Sequence, residues 1–100
     1  MRNIVLFCSA GMSTSVMVRK MEEAAKAMNY DCKVAAYSVS EATTYGPDAD
    51  IILLGPQIRF NLNKVRGLLP GKIVEVIDMR AYGMLDGKSV INFVKQKLGD

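Results

Sequence analysis

Cys8 is followed by seven residues, Ser9-Ala10-Gly11-Met12-Ser13-Thr14-Ser15, in which small and hydroxyl side chains crowd together. A thiol at the mouth of such a loop is suited to one chemistry above others, attack on a phosphorus atom held by the loop's amides. If the loop opens a helix, its free N–H groups and the positive end of the helix dipole converge on one point, where a dianionic phosphoryl group can sit. The same amides and dipole favour thiolate over thiol, and the thiolate is the nucleophile. Gly11 and its small neighbours let the backbone approach an anion closely. The plainer alternative is a cysteine that merely ends a core strand, because free cysteine packs as a small hydrophobe. The density of capping and turn residues after Cys8 argues for the chemical reading.

Positioning such a loop requires a strand before it and a helix after it. Ile4-Val5-Leu6-Phe7 is a short apolar run, as in a buried parallel strand, and Val18, Met21, Ala25 and Met28 recur at helical spacing. The spacing predicts a helix from Ser13 or Thr14 to about Met28, with Asn29 as its stop. A second strand is predicted over 32–37. A short, poorly formed helix is predicted around Ser40–Thr44, before the turn Gly46-Pro47-Asp48. Ile51-Ile52-Leu53-Leu54 reads as a central strand ending in Gly55-Pro56-Gln57. Ile58, Leu62, Val65, Leu68 and Leu69 mark a helix up to Pro70-Gly71. The last strand is expected over 72–77, and the last helix after Asp86-Gly87, with Val90, Ile91, Val94 and Leu98 facing inward.

Alternating strands and helices joined by short links imply a single α/β domain over residues 1–100. Its open parallel sheet has four strands in the order 2-1-3-4, with helices on both faces and right-handed crossovers. In that order the chain reverses direction between strands 1 and 3, and the crevice at their carboxyl ends is the expected site. Cys8 ends the first of these strands and Gly55-Pro56-Gln57 ends the other, so two stretches chosen by composition meet at one place.

Composition narrows the chemistry. The 100 residues, half of them hydrophobic, suffice for one core without metals or disulfides. The formal charge of +3 is spread along the chain with no basic run, which makes nucleic acid a poor partner. Two cysteines without a pairing framework imply a reducing compartment, and no metal or cofactor is expected. No apolar run reaches the ~20 residues of a membrane span, so a cytoplasmic protein without membrane insertion is expected. The chain contains no histidine, and any imidazole in its mechanism must come from a partner.

Three stretches together resemble the IIB component of the lactose/cellobiose class of the bacterial phosphoenolpyruvate-dependent sugar phosphotransferase system. They are Leu6 through Ser15, Ile52-Leu53-Leu54-Gly55-Pro56-Gln57-Ile58, and Val74-Glu75-Val76-Ile77-Asp78 with Tyr82-Gly83 and Asp86-Gly87. The resemblance implies a phosphoryl carrier with a phosphatase-like loop after strand 1. It implies that Cys8 accepts the phosphoryl group from a histidine of a phospho-IIA protein and passes it to a sugar, expected to be a β-linked disaccharide, on a membrane-embedded IIC transporter. A monomer is expected when the chain is isolated.

The principal alternative is a low-molecular-weight cysteine phosphatase, whose loop is similar. Such enzymes place an arginine six residues after the cysteine to clamp the transition state, and that position here is Thr14. Gln57 is a candidate second donor to a phosphoryl oxygen, or simply a helix start. Arg59 and Arg80 are expected near the same face and are candidates for steering a phosphorylated donor. An aspartate acid is unsupported, because Asp78 ends the fourth strand and reads as well as a turn or capping residue, and Tyr82-Gly83 reads as a loop beside the site. The loop from Ser9 to Ser13 is expected to be ordered by an anion. Cys32, opening the strand next to that of Cys8, is expected too far away for a disulfide.

Overall fold

The computed structural model describes the backbone of residues 1–9 and 12–100, and the side chains of 1–9 and 14–100. Four parallel strands, β1 (Arg2–Cys8), β2 (Cys32–Ser38), β3 (Ile51–Leu54) and β4 (Val74–Val76), form one sheet in the order β2-β1-β3-β4. Among the described residues five α-helices connect and cover them: α1 (Met12–Ala27), α2 (Ala42–Tyr45), α3 (Leu62–Leu68), α4 (Met79–Gly83) and α5 (Gly87–Leu98). The four-stranded order and the parallel pairing match those expected from the alternation of elements.

The central strands are apolar on both faces because both are covered. Along β1, Ile4 and Leu6 join Met17 and Met21 of α1 and Val90, Ile91 and Val94 of α5 in one cluster. Val5 and Phe7 point the other way, toward Ile52, Leu54, Ile58, Val65 and Leu69. The register pairs Phe7 with Leu54 on one side and Cys8 with Ser38 on the other. The carboxyl ends of β1, β2 and β3 therefore lie together.

Helix α1 runs to Ala27, one residue short of the expected end, and Asn29 closes it with φ 54°. Tyr30 N–H bonds the Ala25 carbonyl at 2.9 Å and Asn29 N–H the Lys26 carbonyl at 3.1 Å, a Schellman closure that explains the stop. The helix expected from Ile58 is instead a 3-10 turn over Pro56–Asn61, kinked at Ile58, followed by α3. Pro56 has no N–H and a fixed φ, which suits a tight first turn. The last strand is Val74–Val76 rather than 72–77, although ladder-like bonds continue at Ile73 and Ile77. An edge strand with a neighbour on one side only is readily shortened in this way.

The segment read as a loop at Tyr82-Gly83 is the short helix α4. Asp78 caps its start, its carboxylate accepting from the Ala81 N–H at 3.0 Å. Leu85, at φ 53°, closes its end, with Asp86 N–H bonding the Ala81 carbonyl and Leu85 N–H the Tyr82 carbonyl. Of the two readings of Asp78, the capping one accounts for its geometry.

Candidate functional site

Cys8 is the last residue of β1, 6% exposed, and the 16-residue helix α1 begins four residues later. The contact between Thr14 and Cys8 puts the first turn of α1, and with it the positive end of the helix dipole, at the end of the strand. Thr14, in the first turn of α1, is 1% exposed and is the one buried polar residue among those described. Its hydroxyl lies 2.6 Å from the Cys8 sulfur. A threonine hydroxyl buried this deeply needs a partner, and the sulfur supplies one. The hydroxyl of Tyr82, itself 6% exposed on α4, lies 3.5 Å from the same Thr14 oxygen.

The described walls of the cavity beside the sulfur are Cys8, Ser15, Ala36, Tyr37, Ser38 and Glu41, enclosing about 340 Å³. The strand register explains this lining. Cys8 pairs with Ser38, so the residues that come after β2 must flank the cysteine. Strand order and strand lengths together carried that signal, yet reading the sequence did not single out Tyr37, Ser38 or Glu41. A larger groove of about 650 Å³ opens elsewhere, between the end of β4, α4 and α5, and Cys8 does not line it. Its carboxylates are already used, Asp78 in capping α4 and Asp86 in bonding the Ser89 N–H and hydroxyl. Of these two cavities, the smaller is the one that Cys8 lines.

Gln57 is exposed on the turn after β3. Its side-chain oxygen lies 3.1 Å from where a Cβ on Gly55 would stand, and that point is 3.7 Å from the Cys8 Cβ. The bare α-carbon of Gly55 thus leaves room for the Gln57 amide next to the cysteine, while Pro56-Gln57 also opens the 3-10 turn. Arg59 is exposed and donates to the Pro56 carbonyl at 3.4 Å, and Arg80 is exposed on α4 and lines the larger groove. Neither is among the described walls of the Cys8 cavity. Ser9 is exposed. Ala10, Gly11 and the side chains of Met12 and Ser13 lie outside the described residues, and with them most of the expected anion-ordered loop.

The fold brings Cys8, Thr14, Ser15 and Tyr82 together with Gln57 alongside, and leaves Arg59 and Arg80 at the surface. Sequence reasoning treated Thr14 as one of the hydroxyl residues of the phosphate-binding loop and as the place where a phosphatase would carry an arginine, and Tyr82 as part of a loop; it did not pair the two. Helical spacing puts Thr14 in the first turn of α1, but only the packing of α4 shows what reaches it. Among the described residues no cluster of three His, Cys, Asp or Glu side chains is arranged to hold a metal.

Cys32 sits at the other end of the sheet, paired with Arg2, and no disulfide joins it to Cys8. Burial, and after it the nearby Asp31 and Glu22 carboxylates, pushes the Cys32 thiol up from its ordinary value.

Residues 3–93 match the protein family described as the lactose/cellobiose-specific IIB subunit of the PTS system. The chain is 41% identical over 90 residues to the oligo-beta-mannoside-specific EIIB component of Bacillus subtilis, covering 88% of this chain and 87% of that protein. It is 39% identical over 95 residues to the galactose-specific and the cellobiose-specific EIIB components of two Lactococcus lactis strains, with 88% of each chain covered. Among solved structures, a cellobiose-specific IIB component from Borrelia burgdorferi superposes with a TM-score of 0.75 at 33% identity, covering 91% of this chain and 85% of that one. A lactose-specific IIB domain from Streptococcus pneumoniae superposes with a TM-score of 0.81 over 95% of both chains. At 15% identity it speaks for the fold alone.

Proposed function

We propose a mechanism for this chain from one premise: it belongs to the lactose/cellobiose-specific IIB family of the PTS, the sugar phosphotransferase system. IIB components work between IIA and IIC partners, and the chain is a phosphoryl carrier between them. We assign the carried group to Cys8. The observation that supports this is the Thr14 hydroxyl 2.6 Å from the Cys8 sulfur, at the head of a long helix and beside an open cavity. A hydroxyl proton directed at the sulfur stabilises the thiolate, as does the positive end of α1.

In the first half-reaction the Cys8 thiolate attacks the phosphorus of a phosphohistidine on IIA. The sulfur–phosphorus bond forms as the nitrogen–phosphorus bond breaks, and the imidazole leaves with the bonding pair and takes up a proton. In the second, a sugar hydroxyl oxygen on IIC attacks the same phosphorus. The sulfur–phosphorus bond breaks, the thiolate returns, and the hydroxyl proton goes to a base on the acceptor side. This makes the chain the phosphocysteine component of a protein–sugar phosphotransferase. The histidine-free composition fits a donor imidazole supplied by the partner. Ser9 to Ser15 supply the amides that surround the phosphoryl group, and Gln57 reaches it from the turn after β3.

The acceptor on this reading is a β-linked disaccharide such as lactose or cellobiose, held by IIC. Relatives named for oligo-β-mannoside, galactose and cellobiose are alike in their identity to this chain, which fits sugar choice residing on the partner. No helix among the described residues is long and apolar enough to cross a membrane, and we place the chain as a monomeric partner on the cytoplasmic face of IIC. A phosphatase role is disfavoured. The position six residues after the cysteine holds a buried threonine whose hydroxyl faces the sulfur, and the described cavity walls carry no guanidinium to stabilise hydrolysis.

The test is mass spectrometry after incubation with a phosphorylated IIA donor. One phosphoryl group is expected on Cys8 of the wild type and none on Cys8→Ser, whose alcohol is a poor nucleophile at neutral pH. Equal labelling of both, or of neither, would remove Cys8 from the mechanism.

A further inference from the structure

We infer that Tyr82 is a positioning residue for Cys8, acting through the proton of the Thr14 hydroxyl. The three groups make one line of contacts: Cys8 sulfur, 2.6 Å to Thr14 Oγ1, then 3.5 Å to the Tyr82 hydroxyl, the last longer than an ordinary O–H···O hydrogen bond. Both side chains behind the sulfur are buried, so the geometry is a property of the core and not of a mobile surface.

Threonine's hydroxyl has a single proton to give and lone pairs to accept with. If it donates to Tyr82, its lone pairs face the sulfur and oppose negative charge there. If Tyr82 donates to it, its own proton faces the sulfur and favours the thiolate. Tyr82 thus selects which way the Thr14 proton points. No proton travels the line, and Tyr82 keeps its own.

The same alignment serves both halves of the cycle. A thiolate waiting for the donor accepts the Thr14 hydrogen bond. Once the sulfur–phosphorus bond forms, the sulfur becomes a poor acceptor and the bond weakens. As the phosphoryl group departs to the sugar, charge returns to the sulfur where the proton is already aimed, which lowers the barrier to leaving.

The fold holds the tyrosine in place. Its ring packs in the cluster with Met17, Met21 and Val90, and α4 is held at one end by Asp78 and at the other by the left-handed Leu85. On the elements around this line, Tyr37 and Glu41 are the ionisable side chains among the described residues that share the cavity of Cys8. Arg19, Lys20, Arg80 and Lys88 are exposed to water.

The inference deepens the carrier reading, yet its test needs no phosphoryl donor, so the two can fail separately. On a Cys32→Ala background, where Cys8 is the sole thiol, iodoacetamide alkylation is followed against pH. Tyr82→Phe keeps the buried ring and removes one hydroxyl. It is expected to slow alkylation at neutral pH about threefold, the worth of one modest hydrogen bond, and to move the rate profile toward higher pH. Thr14→Val is expected to slow it more, and Thr14→Ser to restore it. Because Tyr82 acts through Thr14, adding Tyr82→Phe to Thr14→Val is expected to have no further effect. An unchanged profile in Tyr82→Phe, or the same slowing with and without Thr14, would overturn the assignment. Circular dichroism of each variant separates these outcomes from loss of fold.

Discussion

Cys32 pairs with Arg2 at the start of β2, whereas Cys8 pairs with Ser38 at its end, six residues further along. At ~3.3 Å per residue the two thiols are about 20 Å apart, well beyond the ~7 Å that a disulfide tolerates. Mild oxidation is expected to yield no Cys8–Cys32 cross-linked peptide, and Cys32→Ala to accept the phosphoryl group at a near-normal rate. Burial, and after it the Asp31 and Glu22 carboxylates, pushes the Cys32 thiol up from its ordinary value, so its alkylation is expected to lag behind that of an exposed cysteine and to rise at higher pH. Gly55 offers a second check at this scale. Its φ of −60° and ψ of 145° are open to any residue, and an added methyl would press on the Gln57 amide at 3.1 Å. Gly55→Ala is expected to change stability by less than about 1 kcal/mol while slowing phosphoryl acceptance if Gln57 is a donor. A thermal melt and the transfer rate, read together, separate the two effects.

Among the elements, the crossing of α5 over α1 is the tightest joint relevant to the site. A Cβ on Gly87 would collide with the Lys20 carbonyl and stand 2.7 Å from the Met21 amide nitrogen. These are backbone atoms of α1, which cannot yield without moving the helix that begins beside Cys8. Gly87→Ala is therefore expected to destabilise the fold by about 1–3 kcal/mol. Gly67, near the end of α3, has no atom within 4 Å of an added Cβ, and Gly67→Ala is expected to stabilise by up to about 1 kcal/mol through reduced chain entropy. Opposite shifts in urea midpoint would bear this out, and a loss of stability at Gly67 would contradict it. The capped and closed helix α4 shows the reverse strategy, in which bonds at both ends hold five residues in helical form so that one tyrosine can reach inward.

At the scale of the molecule, Asp100 gathers the two ends of the chain. Arg2 donates to its carboxylate through two nitrogens at 2.9 and 2.8 Å, and the Tyr30 hydroxyl donates at 2.6 Å. The Arg2 hydrogen bond first, and then that of Tyr30, lower the Asp100 carboxyl to about 2, while burial and the bond to Asp100 push the Tyr30 phenol up. A carboxyl whose folded value lies below its unfolded value of ~3.9 contributes stability above that pH and loses it as the pH falls toward 2. The melting temperature of the wild type is expected to drop across that window. Asp100→Asn, which removes the charge, is expected to start lower at pH 7 and to show a shallower drop. Parallel curves would mean that the cluster adds nothing to folding.

Much of this protein is legible in its residues taken singly. The apolar runs at 4–7 and 51–54, the helical spacing of Val18, Met21 and Ala25 and the stop at Asn29 specify strands and a helix through local sterics and periodicity, which act over a few positions. The topology comes from their alternation, because parallel strands need covered crossovers and one handedness. The family resemblance likewise rests on contiguous motifs. What the chain could not declare was which distant side chains meet. Tyr82 lies 68 residues from Thr14, and its contact with it depends on where a five-residue helix packs against α1 and α5. Thr14 read as one hydroxyl of the loop and as the place of an arginine not present, and burial beside the sulfur gave that hydroxyl a particular partner. Spacing along a helix fixes direction, but burial and hydrogen-bond partners are properties of the closed core, and those only the tertiary structure decided.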